Sequence, residues 1–113
     1  MTFKERFVEL LRAAGVDRIF GNPGTTELPL LDALDAPGAP AYVLALHDGI
    51  AVGVAHGYAA AGRRLAVVNL HAAPGVANAF GNLYNASRSG VPLLVTAGQV
   101  DRRLRLAEPS LWG

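Results

Sequence analysis

The sequence predicts a three-layer α/β/α fold on a mostly parallel sheet of about four strands. Four apolar runs of strand length alternate with stretches of helical periodicity. The runs are apolar almost without interruption, as strands covered on both faces require. Turns bearing glycine and proline separate the two kinds of segment. Right-handed crossovers then collect the carboxyl ends of the strands along one rim, where ligands of such sheets bind.

The first element is a helix opened by Thr2, with Glu5 three residues on to complete a capping box. Phe3, Phe7, Leu10, Leu11 and Ala14 recur at helical spacing and predict its buried stripe, and Gly15 is a natural stop. Charges run through residues 2–12, so this segment lacks the apolar centre of a secretory leader. Arg18 to Phe20 forms the first strand. The turn Gly21-Asn22-Pro23-Gly24 follows, and Pro23-Gly24 suits a type II turn with Gly24 at positive φ. A helix from Thr25 or Thr26 to about Leu34 is expected next, capped by one of those threonines. Residues 35–40 form a loop rich in proline, glycine and alanine.

Tyr42 to Leu46 is the second strand. Asp48, a good N-cap residue, opens a helix to about Ala61. Gly49, Gly53 and Gly57 lie on one face of that helix, interleaved with Ala51, Ala55 and Ala59. A helical glycine costs about 0.5–1 kcal/mol against alanine, so three imply close approach of a neighbouring helix, strand or subunit. The stretch is too short to span a membrane and is broken by His56. Leu65 to Leu70 is the third strand, Pro74 to about Ser87 the helix after it, and Val91 to Ala97 the fourth strand, with Pro92 tolerable at its start. In the tail, Arg102, Arg103 and Arg105 read as a solvated basic face. Trp112, beside the terminus, suggests a chain cut from a longer one.

Composition narrows the function classes. The 113 residues support one small domain, and 51% hydrophobic residues supply a core and argue against disorder. Charged residues are 17% and the net charge is +1, which gives no electrostatic case for nucleic acid or an anionic membrane. Without cysteine there is no disulfide, thiolate metal site or cysteine nucleophile, and the cytoplasm is the expected compartment. His47, His56 and His71 lack metal-ligand spacing, so no metal site is expected. Ser87 and Ser89 lack a nucleophile-elbow context.

Three rim segments carry unusual chemistry: Gly21 to Thr26, His47-Asp48 and His71 to Gly75. The first reads as a tight turn or as a helix start whose free N–H groups meet a polar ligand. Asp48 reads as a helix cap or as a rim carboxylate that accepts or relays a proton. His71 reads as a backbone-bonded histidine or as a donor and proton shuttle, since histidine titrates near neutrality.

Four stretches in order then match a known family. They are Ile19 to Pro29, Tyr42 to Asp48, Asn69 to Gly75, and Pro92 to Gln99. The chain resembles the N-terminal pyrimidine-binding domain of thiamine-diphosphate-dependent enzymes, nearest the benzoylformate decarboxylase branch and farther from acetolactate synthase. The resemblance implies thiamine diphosphate as cofactor and an electron sink for decarboxylation of a 2-keto acid. It puts Asp48 where the family has its invariant glutamate, the partner of N1′ of the aminopyrimidine. It puts His71 on a proton-relaying histidine, Thr25 on a serine that contacts the substrate carboxylate, and Asn22, Pro23 and Gly24 on a turn lining the site.

The chain also departs from the family pattern. Asp48 is one methylene shorter than glutamate, and a misplacement near 1 Å costs on the order of 100-fold in rate. His56 stands where relatives often have aspartate. The Gly-Asp-Gly motif that holds diphosphate and Mg²⁺ is absent from the sequence. Residues 1–113 therefore read as a partial pyrimidine-binding domain, with 101–113 the start of a continuation. A diphosphate-binding domain or subunit is the expected partner, with at least a homodimer in the complete enzyme and no turnover by the chain alone. An acetolactate synthase-like carboligase fragment, a non-catalytic dimerisation module and a flavodoxin-like nucleotide-binding domain stay open as alternatives.

Overall fold

A computed structural model describes residues 1–104. Arg105 and Trp112, and with them most of the expected continuation, lie outside the described residues. In chain order the elements are α1 (Phe3–Ala13), β1 (Arg18–Gly21), a 3-10 turn (Thr25–Glu27), α2 (Leu28–Ala33), β2 (Ala41–Leu44), α3 (Asp48–Gly62), β3 (Ala66–Leu70), α4 (Ala72–Ser89), β4 (Leu93–Ala97) and a second 3-10 turn (Arg102–Leu104). The four strands form one sheet in the order β2-β1-β3-β4, and every pair is parallel.

Side chains alternate across the pleat and build one core on each face. Ile19 and Val67 pack with Leu11 of α1 and with Val16. Their sequence neighbours Phe20 and Val68 point the other way, into Ala51, Val52, Ala55 and Ala59 of α3 and Ala79 of α4. This is the predicted three-layer arrangement. β3 is buried along its whole length. Each such Val or Leu contributes about 1.5–3 kcal/mol of transfer free energy, so β3 is the anchor of the sheet.

The local chemistry of α1 follows the expected box. Thr2 N–H donates to Glu5 at 2.7 Å, and Glu5 N–H donates back to the Thr2 hydroxyl at 3.4 Å. Gly15 takes φ +76 just past the end. The buried stripe differs from the expected one: Val8 and Leu11 are buried, whereas Phe3 and Leu10 face solvent. The helix is rotated so that its branched aliphatics, and not its first phenylalanine, meet the sheet.

The expected second helix splits into a 3-10 turn and the six-residue α2. β2 stops at Leu44, so Leu46 belongs to the loop and is exposed. The N-cap of α3 is His47, not Asp48: its Nδ1 accepts the Gly49 N–H at 3.0 Å. α4 opens at Ala72, two residues before Pro74.

The glycine face of α3 is half explained by helix packing. A Cβ at Gly49 would stand 3.0 Å from the Asn78 carbonyl oxygen of α4, and one at Gly53 would stand 3.5 Å from Asn82. Asn82 also donates its amide to the Gly49 carbonyl at 2.7 Å. Gly57 has open space around it.

A polar brace crosses the sheet just below the rim. The Tyr42 hydroxyl on β2 reaches over β1 and donates to Asn69 on β3 at 3.0 Å, and Asn69 donates to Thr96 on β4 at 3.0 Å. Gly21 makes the crossing possible, because a Cβ there would fall 2.1 Å from the tyrosine oxygen. Burial, helped by the Glu27 and Asp48 charges, raises the Tyr42 phenol well above its ordinary value, so it stays a donor.

Candidate active site

The strand order reverses at β1, which pairs with β2 on one side and β3 on the other. The loops leaving β1 and β3 diverge there, and open α/β sheets form their ligand crevice at such a switch point. The turn from Asn22 to Glu27 and the segment from His71 to Gly75 are the two lips of this crevice.

Glu27 is the hub of the site. Its side chain is 1% exposed, against 25% for His71. Oε2 accepts the Gly24 N–H at 2.7 Å and lies 2.8 Å from Nδ1 of His71. Oε1 accepts the Thr26 hydroxyl at 2.5 Å. Burial works to raise the pKa of Glu27, but the donors on Thr26, Gly24 and His71 outweigh it and hold the carboxyl below its ordinary value. Glu27 is therefore a buried carboxylate at neutral pH, with three donors aimed at it.

Two predicted features of the turn are corrected here. Gly24 has φ −117, so positive φ is not what it supplies. Its lack of a Cβ is what matters: a methyl there would fall 2.1 Å from the His71 ring. Neither Thr25 nor Thr26 caps the following turn. Gly24 holds the N-cap position, and the carboxylate of Glu27 reaches back to its N–H.

Asp48 stands in the first turn of α3 and is 5% exposed. Its Oδ1 accepts the backbone N–H of His71, the N-cap residue of α4, at 3.0 Å. Two helix N-termini thus converge on one carboxyl group. Oδ2 accepts no hydrogen bond among the described residues. Gly75 leaves the space, since a Cβ there would fall 2.6 Å from Oδ1. Between His71 and Gly75 the backbone is strained: Ala72 takes φ +50, a region that costs a residue with a Cβ roughly 1–2 kcal/mol.

Asp48 and His71 are thus brought together through the His71 backbone, and Gly24 lies under the His71 ring. Asn22 and Pro23 are partly buried in the same turn. Thr25 is exposed, and its hydroxyl joins no side-chain bond among the described residues; Thr26 is the threonine that enters the cluster. Sequence reasoning missed Glu27 and Thr26. Glu27 follows Gly24 by three residues at a helical start, the spacing at which an acid reaches back to a free N–H.

A cavity of about 290 Å³ lies on the α1 side of Glu27, between Phe3, Phe7, Leu30 and Gly98, and excludes His71 and Asp48. Among the described residues no group of three or more His, Asp or Glu could hold a metal, and no helix is long and apolar enough to cross a membrane.

Comparison with known proteins agrees with this architecture. Residues 1–110 match the family model for the thiamine pyrophosphate enzyme N-terminal TPP binding domain. Benzoylformate decarboxylase of Pseudomonas aeruginosa is 50% identical over 96 residues, covering 85% of this chain and 18% of the relative. Acetolactate synthase isozyme 3 large subunit of Escherichia coli is 38% identical over 96 residues, covering 85% of this chain and 17% of the relative. The solved Rhodococcus jostii thiamine diphosphate-dependent 4-hydroxybenzoylformate decarboxylase superposes with a TM-score of 0.92 at 44% identity, over 99% of this chain and 21% of that one. The chain spans about a fifth of the length of these relatives.

Proposed function

Because this chain belongs to the N-terminal TPP-binding domain family of thiamine pyrophosphate enzymes, we propose that it forms the pyrimidine side of the site in a benzoylformate decarboxylase-like 2-keto acid decarboxylase. One observation supports the reading above others. Asp48 is a buried carboxylate with one oxygen tied to His71 N–H and the other without a partner among the described residues. An acceptor of this kind suits a ring nitrogen that must be protonated, so the residues present fit the aminopyrimidine.

When bound, thiamine diphosphate supplies an electron sink for the pair released as carbon dioxide leaves the substrate. The chain's own groups do the rest on this side. Oδ2 of Asp48 holds the proton at the ring nitrogen. Asn22, Pro23 and Gly24 wall the ring. His71, one quarter exposed at the rim, moves protons to and from the reacting carbon. The exposed Thr25 hydroxyl binds the substrate carboxylate. Diphosphate and Mg²⁺ belong on a second domain, since this sequence has no Gly-Asp-Gly motif. We assign that domain to a partner or to a continuation of residues 101–113, in an assembly with at least two copies, and the reaction to the cytoplasm.

Titration of the isotopically labelled chain with thiamine diphosphate tests the binding claim. Amide shifts are expected at Asn22, Gly24, Asp48 and His71, and Asp48→Ala should abolish them. Absence of any shift there at saturating cofactor rejects the reading. Mixing the chain with the P. aeruginosa relative stripped of its own N-terminal segment then tests substrate class. Carbon dioxide release from benzoylformate favours the decarboxylase. Acetolactate from pyruvate favours the carboligase, to which the 38% identity with the E. coli subunit points.

A further inference from the structure

We infer that Glu27 is the positioning residue for His71: it keeps the imidazole proton on Nδ1 and leaves Nε2 bare at the rim as the working nitrogen. The inference rests on the reading of His71 as the group that moves protons, and it adds which of its atoms does so.

The hydrogen bonds leave little choice of tautomer. An ionised carboxylate can only accept. Oε2 of Glu27 lies 2.8 Å from Nδ1 of His71, so Nδ1 must donate. The Thr26 hydroxyl lies 3.4 Å from the same nitrogen, but its proton is committed to Oε1 of Glu27 at 2.5 Å. Thr26 thus offers Nδ1 only lone pairs, and both neighbours demand the same protonation. A neutral imidazole carries one N–H, so Nε2 keeps its lone pair, and it has no partner among the described residues.

Glu27 also sets where the ring sits. The oxygen that faces Nδ1 accepts the Gly24 N–H at 2.7 Å. One atom therefore fastens the imidazole to the turn on the opposite lip of the crevice. Gly24 lies against the ring, and Gly98 closes behind the carboxylate with no room for a Cβ. A carboxylate with 1% side-chain exposure, so enclosed, cannot turn away to solvent. Glu27 has no need to touch cofactor or substrate; it acts through His71.

Two-bond ¹H–¹⁵N correlation spectra of the histidine rings in the cofactor-free chain provide the test. They are recorded about two units above the ordinary histidine pKa of about 6.5. The expected result is His71 in the Nδ1–H form. Glu27→Gln exchanges a charge-assisted bond for a neutral one and should move the tautomer ratio about tenfold toward Nε2–H. Glu27→Asp, which keeps the charge, should restore part of the preference. A wild-type His71 protonated on Nε2, or an unchanged ratio in folded Glu27→Gln, overturns the inference. Should Glu27→Gln fail to fold, judged by circular dichroism, the wild-type tautomer decides alone. Since no cofactor is present, failure here leaves the cofactor reading to its own titration.

Discussion

A Cβ on Gly98 would stand 1.9 Å from Oε1 of Glu27. The residue just beyond β4 is thus the back wall of the carboxylate. Gly98→Ala should destabilise the chain by about 1–3 kcal/mol, the usual cost of overpacking, because the carboxylate can move aside only by giving up its bonds to Gly24, Thr26 and His71. Denaturant unfolding measures this, and a change under about 0.5 kcal/mol, the range of neutral surface changes, refutes it.

Gly24→Ala makes the opposite kind of clash. Its Cβ would meet the His71 ring, a side chain that is partly exposed and can swing out. Stability should fall less than for Gly98→Ala, while the Nδ1 bond to Glu27 is lost. Histidine ring nitrogen shifts and melting temperature, measured together, separate the two effects.

Asp48 has two duties that substitution can divide. Asp48→Ala removes the acceptor of the part-buried His71 N–H and should cost about 1–2 kcal/mol. Asp48→Asn keeps an oxygen at that place and should cost much less. Both should abolish the amide shifts caused by thiamine diphosphate, because neither leaves a carboxylate for the ring nitrogen. Asparagine and alanine behaving alike in unfolding would show that the cap is unimportant.

Ala72 sits at φ +50 and is 1% exposed. Ala72→Gly loses about 0.8 kcal/mol of methyl burial and some chain entropy but relieves roughly 1–2 kcal/mol of strain, so the net change should be near zero. Ala79→Gly, fully buried in the middle of the same helix, should cost about 1.5–2 kcal/mol. Equal losses at the two sites would deny the strain.

Acid should weaken the Glu27 cluster selectively. Its carboxyl titrates below the ordinary 4.5 when folded. Its stabilisation is therefore complete above that ordinary value and disappears as pH falls through the lower folded value. Melting temperatures of wild type and Glu27→Gln should converge across that window. A constant gap down to full protonation would contradict the depressed pKa.

Much of this fold is legible in the sequence because β3 and its neighbours are apolar almost throughout, which only a doubly covered strand tolerates. The alternation of Ile19 with Phe20 across the sheet follows from the same runs. Less legible is what a glycine is for. Gly24 looks like a turn residue, yet the ring of His71, distant in sequence, is what forbids a side chain there. Glu27 was hidden for a similar reason, since its partners Gly24 and Thr26 are local while His71 is not. Asp48 looks like the cap of its own helix, but it caps the next one, a relation set by tertiary placement alone.

That last relation bears on how such a protein can change over time. Asp48 grips position 71 by its amide, and every residue except proline offers one. The mainchain there is held whatever side chain it carries. Selection can thus trial new groups at the rim, amide, hydroxyl or apolar, without loosening the two helices that meet beneath, whereas an acid would face the buried Glu27 carboxylate. A scaffold of this sort lends itself to diversification of substrates within one lineage.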